Sequence, residues 1–402
     1  MTNLPQGWKM ETLGEILSSD KYSIKRGPFG SALKKSFFVE KGIRIFEQYN
    51  PINNDPHWKR YFISHEKFQE LEAFKATEGD LLISCSGTLG KIVELPKDTE
   101  MGIINQALLK IRLNNIKILN SYFIYYFNSP IMQEKILEST LGSTIKNIAS
   151  VKILKQIEIP LPPLKKQERI VGILDESFAK IDESIKILEQ NLLNLDELMQ
   201  SALQKAFNPL KDNAKENYKL PQSWEWKSLE EISENISAGG DKPKNCTESK
   251  TAKNQIPVYA NGVNNNGLVG YTDKATIIKP SLTISARGTI GFVCIRKEPY
   301  FPIVRLISLI PCENILCLHY LYFCLNFFIA KGEGSSIPQL TIPKFKSLQI
   351  LLPPLKEQEQ IAKHLDFVFE KTKALKELYT KELKDYEELK QSLLNKAFKG
   401  KL

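Results

Sequence analysis

Apolar residues recur at Ile170, Leu174, Phe178, Ile181, Ile185, Leu188, Leu192, Leu195 and Leu198, in steps of three or four, with charged residues between them. The rhythm returns at Ile361, Leu365, Val368, Thr372, Leu375, Tyr379, Leu383, Tyr386, Leu389 and Leu393. A stripe sustained over about five heptads predicts a coiled-coil helix, because only a neighbouring helix can cover so long and narrow an apolar seam. Each stripe follows a proline pair, Pro162-Pro163 and Pro353-Pro354. The first proline keeps the preceding chain extended, and the second suits the first helical turn, where no N–H is required. Asn208-Pro209 and Gly400 supply the stops.

Between the stripes the pattern is shorter. Apolar runs at residues 42–46, 80–84 and 107–113, and again at 257–259, 282–284, 290–295 and 306–310, are bounded by Gly, Asn and Pro and predict short strands. Two aromatic-rich runs, 119–131 and 315–330, predict buried helices; the longer is about 16 residues, too short for a comfortable membrane span. The expected fold class is α+β: two globular domains with curved mixed sheets, separated by two long antiparallel coiled-coil helices in a pseudo-two-fold repeat. A helix of about 41 residues rises roughly 60 Å. Antiparallel packing of the second on the first would return Leu402 to the neighbourhood of Met1.

The repeat is visible in the letters as well as the pattern. Residues 159–207 return without a gap as 350–398, with about 22 of about 49 aligned positions identical. Residues 4–16 (LPQGWKMETLGEI) match 220–232 (LPQSWEWKSLEEI), and 83–95 (ISCSGTLGKIVEL) resemble 284–296 (ISARGTIGFVCIR). The boundaries that follow are a first globular domain at 1–158, a helix at 159–208, a linker at 209–219, a second globular domain at 220–349 and a second helix at 350–402.

A net charge of +9 and a pI near 9.0 favour a polyanionic partner, since clustered Lys and Arg release counterions from phosphates. The six cysteines form no CxxC pair. Cys312, Cys317 and His319 lie close in sequence, but in an apolar stretch where buried thiols are the commoner outcome. The cysteines are therefore read as reduced core residues of a cytoplasmic protein without a secretory signal.

Catalytic motifs are thin. The LPPL sites lack the flanking residues of an amino-methyltransferase Pro-Pro motif and are read as helix starts. The segments Gly87-Thr-Leu-Gly90 and Gly288-Thr-Ile-Gly291 fit neither GxGxxG nor a P-loop. Binding features are richer. Lys25, Arg26 and Ser31 with Lys34 and Lys35, then Asn50 and Asn53 with Trp58, Lys59 and Arg60, combine cations for phosphates with amides and aromatics for bases. Ser86 and Thr88 sit in the Gly-containing turn. In the second half Lys242, Lys244, Tyr259, Asn261, Asn264, Asn265, Arg287 and Thr289 take comparable places. Asn and Gly are also ordinary turn formers.

Two variable globular segments, each opening with LPxxW and closing with I-x-LPPL-K-x-QE-x-I and a heptad helix, resemble the specificity subunit of type I restriction-modification systems. Residues 79–90, 285–291 and Gly334-Ser-Ser-Ile-Pro338 are similar to that family's target-recognition domains; Gly142-Ser-Thr-Ile-Lys146 departs in carrying Lys where the second copy has Pro. The resemblance implies a non-catalytic subunit whose two domains each read half of a split, asymmetric sequence in double-stranded DNA. The helices would set the spacer and dock two methyltransferase subunits, through residues such as Leu174, Phe178, Ile185, Leu192, Leu365, Phe369, Leu383 and Leu389. Restriction-translocase subunits would join them. S-adenosylmethionine, ATP and Mg2+ would belong to those partners, and no cofactor or metal to this chain. Two other readings stay open on the residues alone: a stand-alone methyltransferase or nuclease, and a structural coiled-coil adaptor indifferent to DNA sequence.

Overall fold

The structure, a computed structural model, describes residues 5–138, 148–207, 223–329, 332–333 and 340–402. The segments 142–146, 209–219 and 334–338, the Asn208-Pro209 stop and Met1, all singled out above, lie outside them. The chain divides into two units, Met1–Leu188 with Lys381–Leu402, and Glu189–Thr380. Each consists of a sheet-rich lobe with part of both long helices.

In the first unit a four-stranded antiparallel sheet runs in the order Ile24–Arg26, Leu108–Ile111, Leu81–Ser84, Ile92–Glu94. The two central strands are buried at every position, including Ser84 and Lys110, whose Nζ donates to the Lys75 carbonyl at 2.6 Å. Beside it a five-stranded sheet orders Phe38–Val39, Phe62–Ile63, Ile43–Phe46, Gly102–Ile104, Lys75–Ala76, with Ile43–Phe46 parallel to Gly102–Ile104. The second unit repeats the design: an antiparallel sheet of Ser233–Ala238, Ile307–Pro311, Ser281–Ile284 and Val293–Arg296, and a sheet of Leu268–Thr272, Ile256–Tyr259 and Phe301–Pro302 with the last two parallel. Where a mixed sheet was expected, each lobe carries a mixed sheet and an antiparallel one.

The aromatic runs form the helices Asn120–Phe127 and Leu318–Phe328. A two-stranded ladder closes each lobe, Lys9–Thr12 with Glu158–Leu161 and Glu225–Ser228 with Gln349–Leu352, so the strand after Trp8 or Trp224 is paired to the strand before the proline pair. Tyr122 and Tyr320 donate their hydroxyls to the carbonyls of Pro160 and Leu351, at 2.7 and 2.6 Å.

The heptad stripes form single helices, Leu164–Phe207 and Leu355–Phe398, of 44 residues each. Each second proline is the residue just before the helix: the Pro163 carbonyl accepts from the backbone N–H groups of Lys166 and Gln167, and that of Pro354 from Glu357 and Gln358. The glutamine of the repeated QE pair is fully buried in both copies. Gln167 Nε2 donates to the carbonyls of Lys117 and Pro162 while its Oε1 accepts from Leu119 N–H, all at 2.8–2.9 Å. Gln358 does the same with Ile315, Pro353 and Cys317. One side chain per repeat thereby fastens the start of a long helix to the approach of an aromatic helix.

Helices pair antiparallel in both units. In the first, Ile170 and Leu174 share a core with Leu394, Ala397 and Phe398, and Lys390 bridges to Asp182. In the second, Leu203 and Phe207 share a core with Ala362 and Leu365, and Lys376 bridges to Asp196. Phe398 meets Tyr122 and Tyr126 edge-on at 5.4 and 5.0 Å, and Phe207 meets Tyr320 at 5.3 Å. The stripes were expected to cover one another rather than their own lobes; they do both. Gly400 ends the second helix in the left-handed region, φ 67°, with its N–H on Ala397 O and that of Lys401 on Lys396 O. It lies against Pro5, whose ring a Cβ at Gly400 would strike.

Candidate nucleic-acid interface

In the first unit a cleft of about 620 Å³ is lined by Lys25, Arg26, Phe29, Phe74, Ser86 and Gln106, among others. Three loops build it. The loop after Ile24–Arg26 is pinned where Gly27 N–H donates to Leu108 O at 2.8 Å. There the backbone runs so near Asn105 that a Cβ on Gly27 would overlap its carbonyl. The turn before Leu108–Ile111 brings Gln106, and the turn after Leu81–Ser84 brings Ser86, with Ser84 Oγ tied to Thr88 O at 2.7 Å.

The candidate residues from the sequence fall into three groups. Ser31, Lys34, Lys35, Asn53, Lys59, Arg60, Ser86 and Thr88 are exposed. Lys59 holds Glu100 at 2.8 Å, which keeps that carboxyl below its ordinary range. Lys25, Arg26 and Trp58 are half-buried: Lys25 lies over Tyr22 and Phe74, Arg26 reaches the carbonyls of Cys85 and Ile148, and Trp58 stacks on Tyr49 at 4.3 Å. Asn50 is corrected. Its side chain, expected at the binding surface, is fully buried and spent on Glu47 N–H and the carbonyls of Asp55 and Trp58, so it shapes the loop.

A second depression, about 200 Å³, is lined by Lys35, Phe38, Glu47, Tyr61 and Gln106, among others. Glu47 Oε2 is buried there without a partner, and burial holds this carboxyl above its ordinary range against the pull of Arg60. Burial also pushes the Cys85 thiol up to about 11. It lowers Arg44, whose guanidinium lies over Phe46 and donates to Pro56 and Trp58 carbonyls.

The second unit assembles the corresponding loops. Gly239 N–H donates to Leu306 O at 2.8 Å, as Gly27 does to Leu108. Asn261 ties two loops together, accepting from Ala286 N–H at 2.9 Å and donating to Val304 O at 2.5 Å. Val304 and Arg305 are exposed and both left-handed, φ 53° and 58°, a strained geometry for a β-branched residue that the Gly239 and Gly240 carbonyls hold by accepting from Arg305 and Val304 N–H. Lys242, Lys244, Asn264, Asn265 and Arg287 are exposed around them, and Thr289 is half-buried. Tyr259 is covered by the Arg296 guanidinium at 3.5 Å. Among the described residues no group of three or more His, Cys, Asp and Glu could hold a metal ion, and His319 is engaged by Asp366 at 2.9 Å.

Sequence reasoning missed Phe29, Gln106 and Arg305. Phe29 stood inside a segment already chosen for its cations; the other two are single letters in strand connections, and only the fold carries them to the loop surface.

The helix candidates divide as well. Leu174 and Leu365, expected to face a partner, are buried in the cores of their own units. Phe178 and Phe369 pack on Tyr125 and Phe323, at 5.5 and 5.1 Å. Ile185, Leu192 and Leu383 are half-buried and Leu389 is exposed, alongside exposed Ile187, Leu193, Leu198, Phe367 and Leu378.

Two lobes of one design, each presenting cationic loops and each fastened to paired long helices, define a duplicated binding protein. The chain belongs to the type I restriction-modification specificity family: the Type I restriction modification DNA specificity domain matches it twice, at residues 5–193 and 221–385. The family is one of specificity subunits, not of catalysts. A Mycoplasma pneumoniae chain named as a type I specificity subunit is 33% identical over 221 residues, covering 54% of this chain and 56% of that one. This chain thus spans little more than half of that relative's length. The MjaVIII specificity subunit of Methanocaldococcus jannaschii is 25% identical over 358 residues, 81% of this chain and 79% of its own. The fold is shared with the HsdS subunit crystal structure from Thermoanaerobacter tengcongensis, TM-score 0.63 at 20% identity over 99% of this chain and 98% of that one. It is also shared, at TM-score 0.80, 20% identity and full coverage of both chains, with a chain solved in work on complex assembly and conformational transition of the type I system. No helix among the described residues is long and apolar enough to cross a membrane.

Proposed function

We propose that this chain is the DNA-reading subunit of a cytoplasmic type I restriction-modification complex, with each lobe recognising one half of a bipartite, asymmetric duplex target. The observation that carries the reading is a repeated frame dressed with different loops. Gly27 and Gly239 dock alike, Gln167 and Gln358 fasten alike, yet the surfaces they support carry Lys25, Phe29 and Gln106 in one lobe and Lys242, Arg287 and Arg305 in the other. A protein that must recognise two unlike half-sites needs this division, with phosphate-seeking cations common to both lobes and base-reading side chains particular to each. Each good bidentate contact would be worth about 1–3 kcal/mol of discrimination.

The long helices set the unread spacer, and their exposed apolar residues, Ile187, Leu193, Leu198, Phe367, Leu378 and Leu389, offer docking positions for two methyltransferase subunits. Those partners, with the restriction-translocase subunits, bring S-adenosylmethionine, ATP and Mg2+. Mapping methylated adenines across the host genome by single-molecule sequencing, with and without the gene, tests the proposal. A split motif whose methylation disappears with the gene is expected; an unchanged methylation map would refute it.

A further inference from the structure

Phe29 is 89% exposed, the highest value among the exposed large apolar side chains of the described residues. Its surroundings are stiff. Pro28 before it is buried, and Gly27 is hydrogen-bonded to Leu108 and jammed against Asn105. Gly30 after it faces Gln106 so closely that a Cβ would come within 2.8 Å of Oε1, and Ala32 N–H closes the turn on Phe29 O at 2.9 Å. The ring is therefore held out into water on a braced turn. Around it stand Lys25 and Arg26 in the same cleft, with Lys34 and Lys35 exposed on the next few residues.

An apolar ring fixed in water is unfavourable until something covers it. The charge at its foot selects a polyanion, and in a polyanionic duplex the largest apolar surface a ring can cover is the base faces between stacked pairs. The equivalent loop of the second unit sharpens the point. Gly239 docks as Gly27 does, but Gly240, Asp241 and Lys242 follow where the first unit has Pro28, Phe29 and Gly30.

We propose that Phe29 is an intercalating wedge, opening one base step within the half-site bound by the first lobe, while the other half-site is bound without a wedge. This rests on the DNA-reading function proposed above.

The test uses the chain assembled with its methyltransferase subunits, wild type beside Phe29→Ala and Phe29→Leu, on a duplex carrying the mapped target. Thymine reactivity to permanganate and the fluorescence of 2-aminopurine, substituted at each purine in turn, report unstacking. A base flipped for methylation gives a signal in all three proteins. The wedge adds one that is confined to a single half-site, disappears with Phe29→Ala and persists with Phe29→Leu, accompanied by a loss of affinity of about tenfold for the alanine variant. Phe29→Ala should keep the wild-type melting temperature, since so exposed a ring supports little of the fold.

Identical reactivity and affinity for wild type and Phe29→Ala would overturn the proposal. So would a Phe29-dependent signal in both half-sites, or failure of Phe29→Ala to bind the methyltransferase subunits, which would make the ring a protein contact. Wild type that showed no preference for the mapped duplex would instead remove the DNA-reading function itself, and the wedge with it.

Discussion

Gln167 and Gln358 show how much one buried amide can settle. Each satisfies two carbonyls and one N–H that would otherwise be orphaned between a proline pair and an aromatic helix. Gln358→Leu removes three hydrogen bonds and strands their backbone partners, so it should cost about 2–3 kcal/mol, read from urea unfolding. Glu47 works in the opposite direction. Its carboxyl is raised by burial, so its contribution to stability is fully present below the unfolded-state pKa and is lost as pH rises through the folded one. Glu47→Gln should therefore raise the thermal midpoint at pH 7, and the gain should fade below about pH 4.3, where both states of the wild type are protonated. Site residues were legible only by chemistry. Lys34, Lys35, Lys242 and Arg287 were chosen as cations near turns and are exposed. Asn50, chosen on the same logic, is a loop brace, because an amide that can reach a base can equally satisfy its own backbone. The two glutamines were quoted within a motif and passed over, since nothing local distinguishes a buried Gln from a solvated one.

At the scale of elements, long-range periodicity was the readable signal. The heptad stripes and proline pairs located both long helices, and the aromatic runs located Asn120–Phe127 and Leu318–Phe328. Strands such as Leu81–Ser84 and Leu108–Ile111 were found as apolar runs, but which sheet each joins depends on pairings between distant residues that no local pattern encodes. Nor did the stripes reveal how their ends are used. The repeated spacing that ends each helix in Ala-Phe delivers Phe207 to the second lobe and Phe398 to the first. Phe398→Ala should destabilise the first unit by about 3–5 kcal/mol. Hydrogen exchange should then quicken in the ladder of Lys9–Thr12 with Glu158–Leu161 while that of Glu225–Ser228 with Gln349–Leu352 keeps its protection; Phe207→Ala should do the reverse.

For the whole molecule, duplication was legible because three separate segments echo in the same order, which pointed to two lobes of one design before any fold was known. Under the function proposed above, the spacer belongs to the helices. An insertion of about four residues between Ile170 and Leu198 adds roughly 6 Å of rise and slightly more than one turn. It should change the unread gap of the methylated motif, or abolish assembly, while the bases of each half-site stay the same; a genome methylation map would display the difference. Synthesis has a direction that the duplicated fold lacks. The ribosome releases Tyr122 and Tyr126 long before it makes Phe398, whereas Phe207 is already in hand when Tyr320 emerges. Nascent chains stalled ahead of Leu393 should therefore leave the earlier lobe open to protease, an apprenticeship the later one is spared.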